Sequence, residues 1–176
     1  MPFTWPGFIF NKLNNSGNKA SLTGIFITES AGMPMHSVNN IQAIASKGLS
    51  GDRYFNKTGY WDPVEGCQVT LISEHDLMLA RRDLAKQNNN SSVDNGQHRR
   101  NLVVTGIKTK ALEGKQFQIG EAIFSYEKPR PPCGYLNTIE GHGMAKALSY
   151  NSGICIQVIR SGKLCVGDAL KIVSCK

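Results

Sequence analysis

Cys133 is the residue of this chain best suited by its setting to nucleophilic or metal-ligating chemistry. It follows Pro129-Arg130-Pro131-Pro132, so three of the seven prolines lie within four residues of it. Proline fixes φ and removes a backbone donor, and the residue before a proline is pushed towards extended geometry. The thiol therefore sits just past a stiff, non-helical segment, with the permissive Gly134 behind it. Lys128 and Arg130 are close enough in sequence to lower its pKa and favour the thiolate. The competing reading is a small buried hydrophobe, which is what most free cysteines are.

Three further stretches carry polar groups in unusual places. Gly48-Leu49-Ser50-Gly51-Asp52-Arg53 is a sharp turn that projects one acid and one base, or a plain turn whose Asp52 caps its own backbone. His98-Arg99-Arg100-Asn101 stands at the mouth of the apolar run 102–105. Arginine forks suit phosphate and carboxylate; the plainer alternative is a pair of surface charges flanking a strand. Ser73 with Asp76 forms the Ser-x-x-Asp capping pattern before a periodic apolar run.

The elements that must position these groups are mostly strands. Runs 22–28, 68–72, 102–105, 122–126 and 154–159 are rich in β-branched and aromatic residues. Residues 41–46 read as a further strand, 117–119 with 122–126 as a hairpin or corner, and 164–166 and 169–173 as the last strands. Ser161-Gly162 is a two-residue turn signal. A helix starts at Ser73, with Leu77, Ala80 and Leu84 on one face and His75 and Arg81-Arg82 on a solvated one. A short second helix covers 144–150. Residues 87–97, rich in Asn and Ser, form a polar loop that could serve as a lid. Many short strands separated by turns predict a mainly β fold, a closed or partly closed β-barrel with two or three peripheral helices. Residues 1–20 read as an irregular arm and 21–176 as one domain; no internal repeat or linker divides them.

Composition narrows the partners. The chain has 176 residues and a formal net charge of +7, which favours anionic ligands. Its basic residues are scattered apart from two arginine pairs, and aromatics do not interleave with them. A nucleic-acid interface therefore has little support. No stretch approaches the roughly 20 apolar residues of a membrane span, and the N-terminus is a poor signal peptide. The cysteine count is five, an odd number with no CxxC, which fits neither a zinc ribbon nor a disulfide framework. Reduced thiols and a cytoplasmic setting follow as the expectation. Cys155 and Cys165 alternate with apolar residues, Cys67 precedes a strand and Cys175 ends the chain, so these four read as structural.

The ordered motifs resemble a known family. GLSGDR (48–53), QVTLIS (68–73), RRNLVVTGI (99–107), LEGKQFQIGEA (112–122), PCGYL (132–136) and GDAL (167–170) match the MOSC domain, named after the C-terminal domain of molybdenum cofactor sulfurases. The match spans roughly 21–173 and is most similar to the compact, stand-alone bacterial members. The resemblance implies a β-barrel with peripheral helices that binds the molybdenum cofactor, a phosphorylated pterin dithiolene (molybdopterin). It makes Cys133 the metal ligand. It puts Arg99 and Asn101, with Arg100 between them, near the pterin and its phosphate, and assigns Asp52, Arg53 and Ser73 to the same site. Larger amidoxime-reducing members carry an N-terminal barrel domain, whereas here only residues 1–20 precede the first strand. The resemblance thus implies a shallower or partner-completed site.

The residues agree with that chemistry on their own terms. A soft thiolate suits molybdenum already held by dithiolene sulfurs, and arginines suit a phosphate. Two function classes follow. One is a molybdenum-dependent reductase of N-hydroxylated or related N-oxygenated compounds, fed by a separate electron-donor protein because no flavin, haem or iron–sulfur motif is visible. The other is a carrier of the cofactor, or of sulfur as a Cys133 persulfide, for the maturation of molybdoenzymes.

Overall fold

The most apolar strands form the centre of the molecule, and the polar motifs lie where those strands end. The computed structural model describes residues 19–60 and 66–173. The proposed arm falls outside the described residues for all but its last two positions, and so does Cys175. In chain order the strands are β1 (Ser21–Ile27), β2 (His36–Ser37), β3 (Asn40–Ile44), β4 (Gly48–Leu49), β5 (Val69–Ser73) and β6 (Leu102–Thr105). They continue with β7 (Gln116–Ile119), β8 (Ala122–Pro129), β9 (Ile154–Arg160), β10 (Gly162–Cys165) and β11 (Leu170–Val173). The helices are α1 (Arg53–Asn56), α2 (Glu74–Lys86), α3 (Gly134–Glu140) and α4 (Met144–Leu148), with 3-10 turns at Thr109–Leu112 and Ser149–Asn151.

Eight strands form one mixed sheet in the order β11-β7-β8-β9-β5-β6-β1-β2, and β10-β3-β4 form a second. All pairs are antiparallel except β5 with β6. β5 is buried at all five positions, which accounts for its lack of polar alternation. One face of the large sheet packs with the small sheet around Phe117 and Phe124, whose rings lie 6.0 Å apart. The other face, at Ile72 and Val103, receives Leu77, Ala80 and Leu84 of α2 together with α3 and α4. Losing either phenylalanine ring would cost about 3–5 kcal/mol by cavity formation. No helix among the described residues is long and apolar enough to cross a membrane.

The expected barrel is not confirmed: among the described residues no sheet closes into one. β1 does approach the run into β11, through a single Ser21–Ala169 bridge and hydrogen bonds from Leu22 N to Asp168 O and from Leu170 N to Ala20 O. Phe26 and Ile27 of β1 pair with β2, so only the start of β1 meets that run and no continuous ladder forms. At the Ser161-Gly162 turn signal the chain passes from one sheet to the other. β10 leaves β9 and pairs with β3 from Gly162 to Cys165, because Leu164 is buried in the core with Ile41 and Ala43 of β3.

The four α-helices among the described residues exceed the two or three expected. α1 is a single turn nucleated by Asp52, whose side chain accepts a hydrogen bond from Tyr54 N. α3 starts directly after Cys133, on a Gly-Tyr-Leu-Asn-Thr-Ile-Glu sequence of poor intrinsic propensity. Burial of Leu136 against Ile72 and α4 holds it. α2 begins where the capping pattern predicts, with Ser73 as N-cap.

Candidate functional site

Cys133 lies where β8 gives way to α3. β8 pairs with β9 as far as Pro129, opposite Ile154, and Arg130 N then bonds to Gly153 O at 2.9 Å. The two prolines that follow keep the chain extended until Cys133 (φ −117°, ψ 165°), which stands in the N-cap position of α3. Its carbonyl accepts from Leu136 N at 3.0 Å, and the residue is half-buried. Cys133 lines an open cleft.

Four arginines line this cleft with Cys133: Arg53, Arg99, Arg100 and Arg130. Each comes from a different local device. Arg53 opens α1, where its backbone N–H binds Thr28 O at 2.6 Å and its Nη2 donates to Arg99 O at 3.1 Å. Arg99 adopts φ +61°, a left-handed conformation rare for a residue with a Cβ. Its Nη1 donates to Met33 O at 2.6 Å and meets Glu140 Oε1 at 3.4 Å. Burial outweighs their attraction at both partners, lowering the Arg99 pKa and raising that of Glu140.

Arg100 differs from both. Its guanidinium donates to Ser152 O at 2.5 Å, His98 O at 3.3 Å and Arg130 O at 3.4 Å. Each hydrogen-bond partner of its guanidinium among the described residues is a backbone carbonyl, so no carboxylate bonds to its charge. Burial pulls its pKa below the ordinary guanidinium value. His98 sits behind it, with Nδ1 accepting from Arg100 N at 2.9 Å and its ring edge-on to Phe26 at 5.0 Å. Burial, with Arg100 next in weight, lowers the His98 pKa to about 3.

The remaining predicted residues take structural positions away from the cleft lining. Asp52 is fully buried, accepting from Thr28 N and Tyr54 N at 3.2 Å each, so the turn-capping alternative describes its bonding. Asn101 is fully buried as well. Its Oδ1 accepts from Thr70 N at 3.1 Å and Thr70 Oγ1 at 2.9 Å, while its Nδ2 donates to Phe26 O at 3.1 Å. Ser73 Oγ donates to Asp76 Oδ2 at 2.7 Å, and its backbone N–H binds Thr109 Oγ1 at 3.0 Å. Thr109 Oγ1 closes the group by donating to Asp76. Each of the three reaches the cleft only through a neighbour, because its polar atoms are already engaged in holding strands or helix ends.

Sequence reasoning missed the aromatic part of the site. Tyr54 and Tyr135 line the cleft with Tyr60, and the Tyr60 and Tyr135 rings stack at 3.8 Å and 14°. Arg53 lies 4.6 Å from the centre of the Tyr54 ring, and Tyr54 Oη accepts from Arg130 Nη2 at 3.2 Å. The only signal was adjacency, Tyr54 to Arg53 and Tyr135 to Cys133. No residue of the polar loop 87–97 lines the cleft. Asn89 Nδ2 bonds to His142 O at 2.5 Å and Arg81 holds Asp94 at 2.6 Å, so the loop packs on the α3–α4 turn and on α2 rather than serving as a lid.

Among the described residues no three His, Cys, Asp or Glu side chains cluster as a metal-ion site. Cys133 offers a metal one ligand, and the arginines offer an anion several donors.

A family model described as the MOSC domain matches residues 56–171. Among solved structures, the YuaD protein from Bacillus subtilis superposes with a TM-score of 0.71 at 18% identity, covering 90% of this chain and 97% of its own. YiiM from Escherichia coli gives 0.58 at 20% identity over 88% and 70% of the two chains. YiiM from Geobacillus stearothermophilus gives 0.61 at 14% over 88% and 75%. At these identities the likeness is one of fold. No curated protein sequence matches the chain significantly.

Proposed function

The chain belongs to the MOSC domain family, which is associated with molybdenum-cofactor binding, and on that premise we propose that it is a molybdenum-cofactor-dependent reductase of N-hydroxylated compounds. The observation that carries the reading is the cleft itself: Cys133 with four arginines, one of which, Arg100, bonds through its guanidinium only to backbone carbonyls among the described residues. The donor set fits the group. Cys133 would offer its thiolate to the metal, a soft ligand matched to a dithiolene-bound centre. Arg99, Arg100, Arg53 and Arg130 would hold the pterin phosphate by charge-assisted hydrogen bonds. Asp52, Ser73 and Asn101 act at one remove, by fixing α1, the start of α2 and the β1–β6 junction.

Reduction of an N-hydroxyl group consumes two electrons and two protons and releases water. When bound, the cofactor supplies the two-electron chemistry, and a separate redox protein replenishes it. The chain supplies position and protons. Tyr54 Oη accepts from Arg130, so its own hydroxyl hydrogen stays available to the cleft. The aromatic stack of Tyr60 on Tyr135 gives a flat wall for a planar substrate or ring.

The test uses protein from a host that synthesises the cofactor. Molybdenum and pterin content are measured beside turnover of an N-hydroxylated amidine with a supplied reductant. Cys133→Ser should melt within a few degrees of the parent while kcat falls at least about a hundredfold. Bound cofactor without turnover would favour the carrier, with Cys133 as the persulfide site. Protein that takes up neither metal nor pterin would remove both readings.

A further inference from the structure

Asp52 and Glu140 each meet an arginine of the cleft, and they are held in opposite ways. Asp52 lies 3.6 Å from Arg53 Nη1. It is fixed there, fully buried and accepting from the backbone N–H groups of Thr28 and Tyr54 at 3.2 Å each. Glu140 meets Arg99 Nη1 at 3.4 Å, and this is the one hydrogen bond of its carboxylate among the described residues. Glu140 is also the last residue of α3, where the helix carbonyls present partial negative charge and a carboxylate is disfavoured. Burial raises its pKa and lowers that of Arg99 despite their attraction, so the contact offsets the desolvation of neither partner.

We propose that Glu140 is a built-in competitor for the anion of the cleft: it cancels the charge of Arg99 when no anion is bound and gives that charge up to an incoming phosphate-type group. The inference rests on the anion-binding part of the reading above, and it adds the residue that sets how tightly the anion is held.

The geometry favours an exchange over a fixed pair. Both hydrogen bonds of the Arg99 guanidinium leave from Nη1, to Met33 O and to Glu140, so Nε and Nη2 are not committed to them. Arg99 lines the cleft and Glu140 does not, so the competition is one of charge rather than of space. A phosphate group brings more charge and more acceptor oxygens than a single carboxylate and can take the guanidinium over. The Glu140 side chain, 13% exposed, keeps a path to water on release. Asp52 cannot make the same exchange, because leaving Arg53 would strand the Thr28 N–H and uncap α1.

Calorimetry of inorganic phosphate binding to the full-length, cofactor-free protein tests the proposal. Glu140→Gln keeps the shape of the side chain and removes its charge. It should bind phosphate about fivefold more tightly than the parent, and the gain should fall below about twofold in an Arg99→Gln background. Glu113→Gln alters an exposed carboxylate that does not line the cleft. It makes the same change in net charge and should leave affinity within about twofold of the parent. Unchanged or weaker binding by Glu140→Gln would overturn the proposal, as would the absence of phosphate binding by parent and variant alike. An equal gain from Glu113→Gln, or in the Arg99→Gln background, would also overturn it, by marking a general field effect in place of competition at Arg99. The Glu113 comparison decides even if the double variant fails to fold. Protein that shows the Glu140 effect yet takes up neither metal nor pterin would end the cofactor reading and leave this inference standing.

Discussion

Arg100 and Asn101 are adjacent and both buried, at 4% and 0% exposure, yet they belong to opposite kinds of site. Asn101 spends its amide on Thr70 and Phe26, with donors and acceptors matched. Ser73, Asp76 and Thr109 form a second closed group of the same kind. Arg100, by contrast, bonds only to carbonyls among the described residues, with no carboxylate among them to balance its charge, and it shares the cleft with three further arginines. A polar residue in an apolar setting signals a latch when its bonds close on themselves. It signals a binding site when charge is left over facing a cavity.

The comparison can be broken first at its latch. Asn101→Leu has nearly the same volume but removes three hydrogen bonds and leaves Thr70 N–H and Phe26 C=O unpaired in the interior. A loss of about 3–5 kcal/mol is expected, since each orphaned buried group costs about 1–3 kcal/mol. Urea denaturation reads it. A loss below about 1 kcal/mol would mean that Asn101 is not the joint between β1, β5 and β6.

The second prediction concerns His98, which connects the two regions by accepting from Arg100 N. Its pKa falls from 6.5 to about 3 on folding, with burial the main cause. Its contribution to stability is therefore fully present above about pH 6.5 and is lost as pH falls towards 3, because only the unfolded chain takes up the proton. The slope is about 1.4 kcal/mol per pH unit, or roughly 2 kcal/mol by pH 5. His98→Gln keeps an acceptor but does not titrate. The difference between the two pH–stability curves should show this slope, and parallel curves would place the ring in contact with water.

Where the sequence was informative, the reason is local. The apolar runs that became β5, β6 and β9 are legible because strands buried on both faces need no polar alternation. Ser73 was legible as a helix start because capping acts over three residues. What stayed hidden depends on distant partners. α3 has no periodic signal and exists because Leu136 packs against Ile72 and α4. β10 pairs with β3 across more than a hundred residues of chain, and β1 meets the run into β11 by one bridge and a few hydrogen bonds rather than by a ladder. The candidate site divides in the same way. Cys133 and the arginine pair were legible as chemistry. Arg53, assigned to the site by the family resemblance, also lines the cleft; that Arg130 joins it, while Asp52, Ser73 and Asn101 turn inward, was decided by which partner each side chain met.

The smallest expected effect on stability falls on the cleft side, at Arg99. An L-residue at φ +61° is strained by about 1–2 kcal/mol relative to glycine. The fold tolerates this because the same geometry carries the Arg99 guanidinium to Met33 O and Glu140 at the cleft. Arg99→Gly removes the strain and the contacts together. The buried Glu140 carboxyl, whose pKa burial already raises, can take up a proton in place of its lost partner. The two changes oppose each other, so stability should move by no more than about 1 kcal/mol either way. Anion binding should not be spared. Loss of one charge-assisted donor set from the cleft should weaken inorganic phosphate binding, measured by calorimetry, by roughly tenfold. A variant that binds phosphate as well as the parent would turn Arg99 into a latch like Asn101. A variant that loses several kcal/mol of stability would show that its strain is held by the fold for structural reasons alone.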